Sequence, residues 1–190
     1  MRPDALDEAI GQDIAAGRKP CAVVATAGTT SMTSVDPIRE IAAIARRENL
    51  WLHVDGAYGG SAMSVPEMRH LFDGIERADS FIVDPHKWLY SALEAGCALV
   101  RHPGALRDAF SYSPPYYRFD GEAEDPRTNY FELGLQNSRG FRALKVWLTI
   151  RQAGREGYVR MIGDNCRLAG LLHRAAADHP ELEALLAQPL

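Results

Sequence analysis

The chain of 190 residues contains 46% hydrophobic and 24% charged residues, a composition typical of a globular protein with a sizeable core. Lys plus Arg total 21 against 25 for Asp plus Glu, and the resulting net charge of −4 argues against nucleic acid as a partner, since phosphate binding needs a basic surface. The apolar runs are too short to span a bilayer, which predicts no membrane partner. The first residues lack the apolar core of a signal peptide, so the sequence predicts a cytoplasmic protein.

Apolar periodicity and turn residues predict helices alternating with short strands. In chain order the predicted elements are helix 4–16, strand 21–26, helix 36–48, strand 50–54, a short helix 66–72, strand 80–83, strand 97–100, helix 103–110, and helices 138–152 and 157–177 joined at 153–156. Asp36 and Pro37 are predicted to provide the N-cap and first turn of the second helix. This alternation predicts an α/β fold with a mostly parallel sheet and flanking helices.

Residues 111–132 interrupt this pattern. The segment contains Pro114 and Pro115, several aromatic residues and an acidic patch, and it has no helical or strand periodicity. We predict a long loop, and loops of this length are usually functional or mobile.

Polar side chains follow three of the predicted strands. Thr26 ends the first strand, Asp55 follows the second, and His86 and Lys87 follow the third. Because the carboxyl ends of parallel strands lie along one edge of a sheet, these groups should converge there. A carboxylate and an amine at one edge suit pyridoxal phosphate (PLP), which has a basic ring nitrogen and an aldehyde.

The chemistry of PLP gives each of these groups a role, and each group also has a simpler interpretation. The Lys87 amine would form the Schiff base, and Asp55 would keep the ring nitrogen protonated so that the ring accepts electrons. A lysine after a strand is more often a solvated charge, and an Asp before Gly is commonly a turn residue. His53 and His86 lie in no HExxH or similarly spaced pair, and the three cysteines form no CxxC, so we predict structural histidines and no metal site. The glycine fingerprints of dinucleotide and P-loop sites are absent as well.

Three segments carry a resemblance to a known family. Residues 26–30 (TAGTT), 53–60 (HVDGAYGG) and 79–88 (DSFIVDPHKW) resemble, in order and spacing, the core motifs of the group II PLP-dependent amino acid decarboxylases. That family includes the aromatic-L-amino-acid, histidine and glutamate decarboxylases. The resemblance extends over nearly the whole chain, and it implies decarboxylation of an L-amino acid, with aromatic amino acids favoured as substrates.

The resemblance also implies roles for individual residues. Three residues would act in the chemistry and five would hold the cofactor, and two residues belong to both sets. The implied catalytic residues are Lys87, His86 and the loop tyrosine Tyr116, with Tyr117 as its competitor, and the implied cofactor-binding residues are Thr26, Asp55, Ala57, His86 and Lys87.

The sequence departs from the family pattern at two positions and in length. Asp84 stands where many relatives have an Asn that can donate to the cofactor phosphate, and an ionised Asp would repel that phosphate, so its role is left open. Gly140 interrupts a basic pair beside Arg139. The resemblance implies that residues 1–150 are the second half of a fold-type I (aspartate aminotransferase-like) large domain. Residues 151–190 would be the helical start of a small domain, so we expect a fragment of a homodimeric enzyme.

Two alternatives to a decarboxylase stay open. Another fold-type I activity, such as an aldehyde synthase, an aldolase or a desulfurase, would use the same Asp55 and Lys87, although Trp88 and the loop with Pro114 argue against the last two. The chain could also be a non-catalytic remnant of such an enzyme that does not hold the cofactor.

Overall fold

Four short strands form one open sheet in the computed structural model, which describes residues 1–112, 114, 116, 128–185 and 190. The strands stand in the order β1-β2-β3-β4. The first three are parallel to one another, and β4 is antiparallel to β3. The predicted α/β fold with a mostly parallel sheet is therefore confirmed. The strands are β1 (Ala22–Thr26), β2 (Trp51–Asp55), β3 (Ser80–Val83) and β4 (Cys97–Val100).

Four α-helices flank the sheet. They are α1 (Pro3–Ala15), α2 (Ile38–Arg47), α3 (Ala105–Phe110) and α4 (Arg142–Asp178). In α2 the apolar residues recur at helical spacing, so that Ile38, Ile41 and Ala45 are all buried while the charged residues face outward. This helix packs against β1 and β2 and positions both strands from one side.

The prediction that Asp36 caps α2 is wrong. Its Oδ2 accepts a hydrogen bond of 2.8 Å from the backbone nitrogen of Thr26, and its own backbone nitrogen donates to the Thr26 carbonyl over 2.9 Å. The carboxylate therefore pairs with the last residue of β1, and α2 begins after Pro37 without a side-chain cap.

The connection between β2 and β3 contains no α-helix. It consists of three 3₁₀ helices, Gly59–Ser64, Pro66–Phe72 and Ile75–Arg77. The predicted helix at 66–72 exists but is of the 3₁₀ type. Pro66 and the left-handed Gly74, with φ of 96°, divide the connection into pieces of three to seven residues, and short connectors commonly take this form.

Helix α4 contains the break that the sequence predicted at 153–156. Gly154 has φ of 63° and ψ of 172°, which are not helical values, and it divides the run into two helices. The first begins at Arg142 rather than at 138. After the break, Tyr158, Ile162 and Cys166 are buried in the same hydrophobic core as the sheet.

The two faces of the sheet differ in burial. Side chains alternate along each strand, so that Val23 and Leu52 lie in the core while Val24 is 53% exposed. Leu99 of β4 is 56% exposed. In the described part of the chain, one face of the sheet is thus covered more completely than the other. Within these residues, no helix combines the length and apolar character needed to cross a membrane.

The three cysteines differ in their surroundings, which gives a first testable prediction. Burial raises the pKa of the Cys97 and Cys166 thiols, whereas Cys21 is exposed. A raised pKa leaves less thiolate at a given pH, so iodoacetamide at pH 8 should alkylate Cys21 first. Peptide mass spectrometry over time measures the three rates, and denaturant should make them similar. Alkylation of Cys97 as fast as Cys21 in the folded chain would contradict the partial burial of the Cys97 thiol.

Candidate active site

The carboxyl ends of β1 and β2 lie side by side. Thr26 is the register partner of Asp55, and the backbone nitrogen of Ala27 donates to the Asp55 carbonyl over 2.7 Å. Because Asp36 also bonds to the Thr26 backbone, the end of β1 is fixed on both sides. Thr26 and Asp55 are therefore brought together, as the sequence predicted.

Backbone hydrogen bonds also join the loops that follow β2 and β3. The nitrogen of Gly56 donates to the Ile82 carbonyl over 3.1 Å, and the nitrogen of Asp84 donates to the Ala57 carbonyl over 3.0 Å. Asp55 is the register partner of Ile82. The turn that carries His86 and Lys87 consequently begins beside the turn that carries Asp55 and Ala57, at one edge of the sheet.

Asp55 is half-buried and shapes its own turn. Its Oδ1 accepts a hydrogen bond of 3.0 Å from the backbone nitrogen of Ala57, a local arrangement common for Asp in turns. The turn interpretation from the sequence is thus correct. It does not exclude a binding role, because the bond orients the carboxylate at the carboxyl edge of the sheet.

Lys87 lies in a turn whose backbone is closed by a hydrogen bond of 2.9 Å from its nitrogen to the Asp84 carbonyl. Its Nζ is 2.8 Å from Oδ2 of Asp84, and its side chain is 40% exposed. The amine is therefore partly solvated and held by a carboxylate three residues earlier, at the edge that also carries Asp55.

The two histidines from the sequence analysis both contact protein groups. Nδ1 of His86 lies 2.6 Å from the carbonyl oxygen of Ala95 and 3.0 Å from its nitrogen, so it donates to the first in one tautomer or accepts from the second in the other. Either hydrogen bond holds the imidazole of His86 in place, and His86 immediately precedes Lys87 in the sequence. Nδ1 of His53 lies 2.8 Å from Oγ of Ser80, in keeping with the structural role that the sequence predicted.

The segment after Lys87 is fastened to the second half of α4. Trp88 stacks on Tyr58 with ring centroids 4.9 Å apart and planes 6° from parallel. Nε1 of Trp88 and the hydroxyl of Tyr90 donate to Oδ1 of Asn165 over 2.8 Å and 2.5 Å. The Tyr158 hydroxyl donates to the Leu89 carbonyl over 2.9 Å. These bonds fix the position of the lysine turn.

Asn165 and Tyr158 are residues that sequence reasoning missed. One signal was available, because Asn165 follows Tyr158 by seven positions and so lies on the same face of the helix as the apolar Ile162. A polar residue on such a face indicates a hydrogen bond to a residue that packs against the helix.

Tyr116 and Tyr117 belong to the predicted loop. The Tyr116 side chain is 79% exposed, and Tyr117 lies outside the described residues. The role of either tyrosine in protonating substrate stays a prediction. Of the predicted loop, the described end includes a 3₁₀ helix, Tyr130–Leu133.

The residues at this edge form a donor set that fits PLP. A carboxylate complements a protonated ring nitrogen, a primary amine reacts with an aldehyde, and an imidazole held by the backbone can contact the bound group. In the chain as described, no cluster of three or more His, Cys, Asp or Glu side chains has the arrangement of a metal site.

Comparison with known proteins shows the family to which the chain belongs. It matches the pyridoxal-dependent decarboxylase conserved domain over residues 1–189. The chain belongs to the pyridoxal-dependent decarboxylase family. This confirms the resemblance found in the sequence, and it confirms PLP as the cofactor.

Individual members of the pyridoxal-dependent decarboxylase family are similar along nearly the whole chain. Tyrosine decarboxylase 2 of Arabidopsis thaliana is 39% identical over 97% of this chain and 34% of its own length. Aromatic-L-amino-acid decarboxylase of Sus scrofa is 39% identical over 96% of this chain and 38% of its own. The crystal structure of Oryza sativa TDC with PLP and tryptamine superposes with a TM-score of 0.88 at 35% identity, covering 94% of this chain and 36% of that one. The chain therefore spans little more than a third of these relatives.

Proposed function

We propose that this chain is part of an enzyme that decarboxylates an L-amino acid with PLP attached at Lys87. The observation that carries the proposal is the joined edge of the sheet, where backbone hydrogen bonds set the Asp55 turn beside the Lys87 turn. Family membership supports the reaction class. An aromatic substrate is favoured because the similar proteins named above include a tyrosine and an aromatic-L-amino-acid decarboxylase.

Bound PLP supplies an aldehyde to which an amine attaches and a protonated ring that accepts electrons from the bond that breaks. In the proposed mechanism, Lys87 would present the amine, and the negative charge of Asp55 would keep the proton on the ring nitrogen. Thr26, at the end of β1, and Ala57, in the turn after β2, would help to hold the cofactor. His86, held by the Ala95 backbone, would be a further binding group.

The last step of the proposed reaction needs a proton at the substrate carbon that has lost carbon dioxide. The proposal assigns this proton to the hydroxyl of Tyr116, with Tyr117 as the competing donor. The Tyr116 side chain is 79% exposed.

A homodimer, a cytoplasmic location and a domain boundary at residue 150 are further parts of the proposal. Large apolar side chains in the first half of α4, including Trp147 at 55% exposure and Leu148 at 52%, are compatible with a partner surface. The proposed boundary falls close to Gly154, where α4 breaks.

A second candidate is a remnant without catalysis. It is favoured by one observation, that the Lys87 amine is paired with the Asp84 carboxylate. Such a chain would keep the fold and the ion pair of Lys87 without forming an ordered pocket for PLP.

Borohydride reduction of the chain with PLP, followed by peptide mass spectrometry, separates the two candidates. The chain contains three lysines, Lys19, Lys87 and Lys145. The decarboxylase proposal predicts a single adduct on Lys87, which Lys87→Ala removes and the control Lys145→Ala keeps. Adducts spread over all three lysines, or none at all, would support the remnant.

A further inference from the structure

We propose that Asn165 is a positioning residue, which holds Tyr90 in a left-handed backbone conformation and thereby sets where the turn presents Lys87. The importance of Lys87 for PLP rests on the function proposed above, whereas the hold on Tyr90 does not. Tyr90 has φ of 56°, a value that residues with a Cβ rarely adopt because of steric crowding. A conformation of this kind persists only where the surrounding contacts impose it.

Backbone hydrogen bonds connect Tyr90 directly to the lysine turn. Its nitrogen donates to the Lys87 carbonyl over 3.1 Å, and the nitrogen of Ser91 donates to the Pro85 carbonyl over 2.9 Å. Because the first of these bonds joins Tyr90 to Lys87 itself, a change in the Tyr90 backbone would displace the residue that carries the amine.

The Asn165 side chain receives two hydrogen bonds from this segment through one oxygen atom. Its Oδ1 accepts from the Tyr90 hydroxyl over 2.5 Å and from Nε1 of Trp88 over 2.8 Å. The Trp88 ring is only 7% exposed and stacks on Tyr58. Asn165 therefore connects the strained Tyr90 to a ring that is itself held by packing.

Other contacts hold the residues on either side of Tyr90. The Leu89 carbonyl accepts from the Tyr158 hydroxyl over 2.9 Å, and the Ser91 hydroxyl donates to Oγ1 of Thr149 over 3.2 Å. The Tyr90 side chain is 48% exposed, so packing constrains its ring only in part. The hydrogen bond of its hydroxyl consequently contributes much of what keeps this residue in place.

The two bonds use the oxygen of Asn165 and not its amide nitrogen. An indole N–H can only donate, which orients the Asn165 side chain with Oδ1 toward Trp88. Aspartate has the same shape and keeps an acceptor oxygen, whereas leucine has a similar size and no acceptor. Asn165→Asp should therefore preserve the conformation of Tyr90, and Asn165→Leu should lose it.

Nuclear magnetic resonance on the chain without PLP tests the proposal. A left-handed residue brings its own amide and α protons close together, so Tyr90 should give a strong nuclear Overhauser effect (NOE) between them. This NOE should persist in Asn165→Asp and disappear in Asn165→Leu. The amide protons of Tyr90 and Ser91 should exchange with solvent about 30-fold faster in Asn165→Leu, which loses two neutral hydrogen bonds, and about fivefold faster in Tyr90→Phe, which loses one.

Asp164→Leu is the matched control. It places a leucine one position earlier in the same helix and removes an exposed ion pair with Arg167. This variant should leave the Tyr90 signals unchanged. The indole proton of Trp51, which donates to Oγ of Ser80 over 2.8 Å, reports in every sample whether the sheet is intact.

Three results would each overturn the proposal. They are a parent chain without the Tyr90 NOE, a folded Asn165→Leu chain that keeps it, and an Asn165→Asp chain that loses it. Should Asn165→Leu fail to fold, Tyr90→Phe decides, because it removes only a hydroxyl from a half-exposed ring. Amide exchange in Tyr90→Phe as slow as in the parent chain would then overturn the proposal.

Borohydride labelling with PLP extends the test to the lysine. The yield of the Lys87 adduct should fall severalfold in Asn165→Leu and return in Asn165→Asp, because displacing a reacting group slows its reaction. An unchanged yield in an Asn165→Leu chain whose Tyr90 has relaxed would overturn the positioning of Lys87. A parent chain without the adduct would instead contradict the proposed function, while the Tyr90 signals still decide the role of Asn165.

Discussion

Replacing Asp55 by asparagine is expected to lower amine formation from an aromatic L-amino acid about 10²–10³-fold in the PLP-loaded chain, the usual cost of removing one preorganised electrostatic group. The carboxylate is fixed by its bond to the Ala57 nitrogen at the edge of the sheet. In the proposed mechanism its charge would keep the ring nitrogen of bound PLP protonated, and a protonated ring would accept electrons from the bond that breaks. Asparagine keeps the size and can still accept the turn hydrogen bond, but it lacks the charge.

The measurement compares kcat and KM for amine formation in parent and variant, together with the borohydride adduct. The loss should fall on kcat, while the adduct on Lys87 persists, because attachment needs only the lysine amine and the aldehyde. Asp73→Asn is a matched control, since Asp73 is exposed and pairs with Arg39, and neither residue has a role in the proposed site. Turnover that survives in Asp55→Asn would remove the proposed role of the carboxylate and leave its turn hydrogen bond as its function.

The parts of the site that the sequence predicted correctly depend on short segments. The sequence indicated Asp55 and Lys87 because Asp55 ends one apolar strand and Lys87 lies in the turn after the next, and parallel strands end at one edge of a sheet. The same reasoning gave the break near Gly154, since glycine and the change of periodicity lie in one stretch of sequence. A local sequence pattern is sufficient to predict those parts of the structure that depend on residues close together in the chain.

The parts that it missed depend on contacts between distant residues. Asn165 accepts from Trp88 across 77 positions, and no short pattern records that distance. The position of Asp36 before Pro37 favours a helix cap. Its carboxylate instead accepts a hydrogen bond from the end of β1. The sequence offered Asp84 only the cofactor phosphate as a neighbour, and its charge would repel that group. Its pairing with Lys87 follows from the folded turn and not from the sequence pattern.

Gly74→Ala is expected to destabilise the chain by about 2–5 kcal/mol, the sum of a left-handed backbone penalty and an overpacking term. Gly74 has φ of 96°, and a Cβ there would stand 2.6 Å from Cα and 2.8 Å from the nitrogen of Arg39. These are backbone atoms in α2, so they cannot move aside as a side chain can. Separation of the two segments would loosen the connection that leads into β3 and thus the turn that carries Lys87.

Gly17→Ala separates the two contributions. Gly17 also has positive φ, 74°, but nothing lies within 4 Å of an added Cβ. Its replacement should cost only the backbone penalty, about 1–2 kcal/mol. Urea unfolding of both variants measures the free energies of unfolding. Equal losses would mean that α2 and the Gly74 turn separate at no cost, and the close packing between them would then not contribute to holding β3 beside β2.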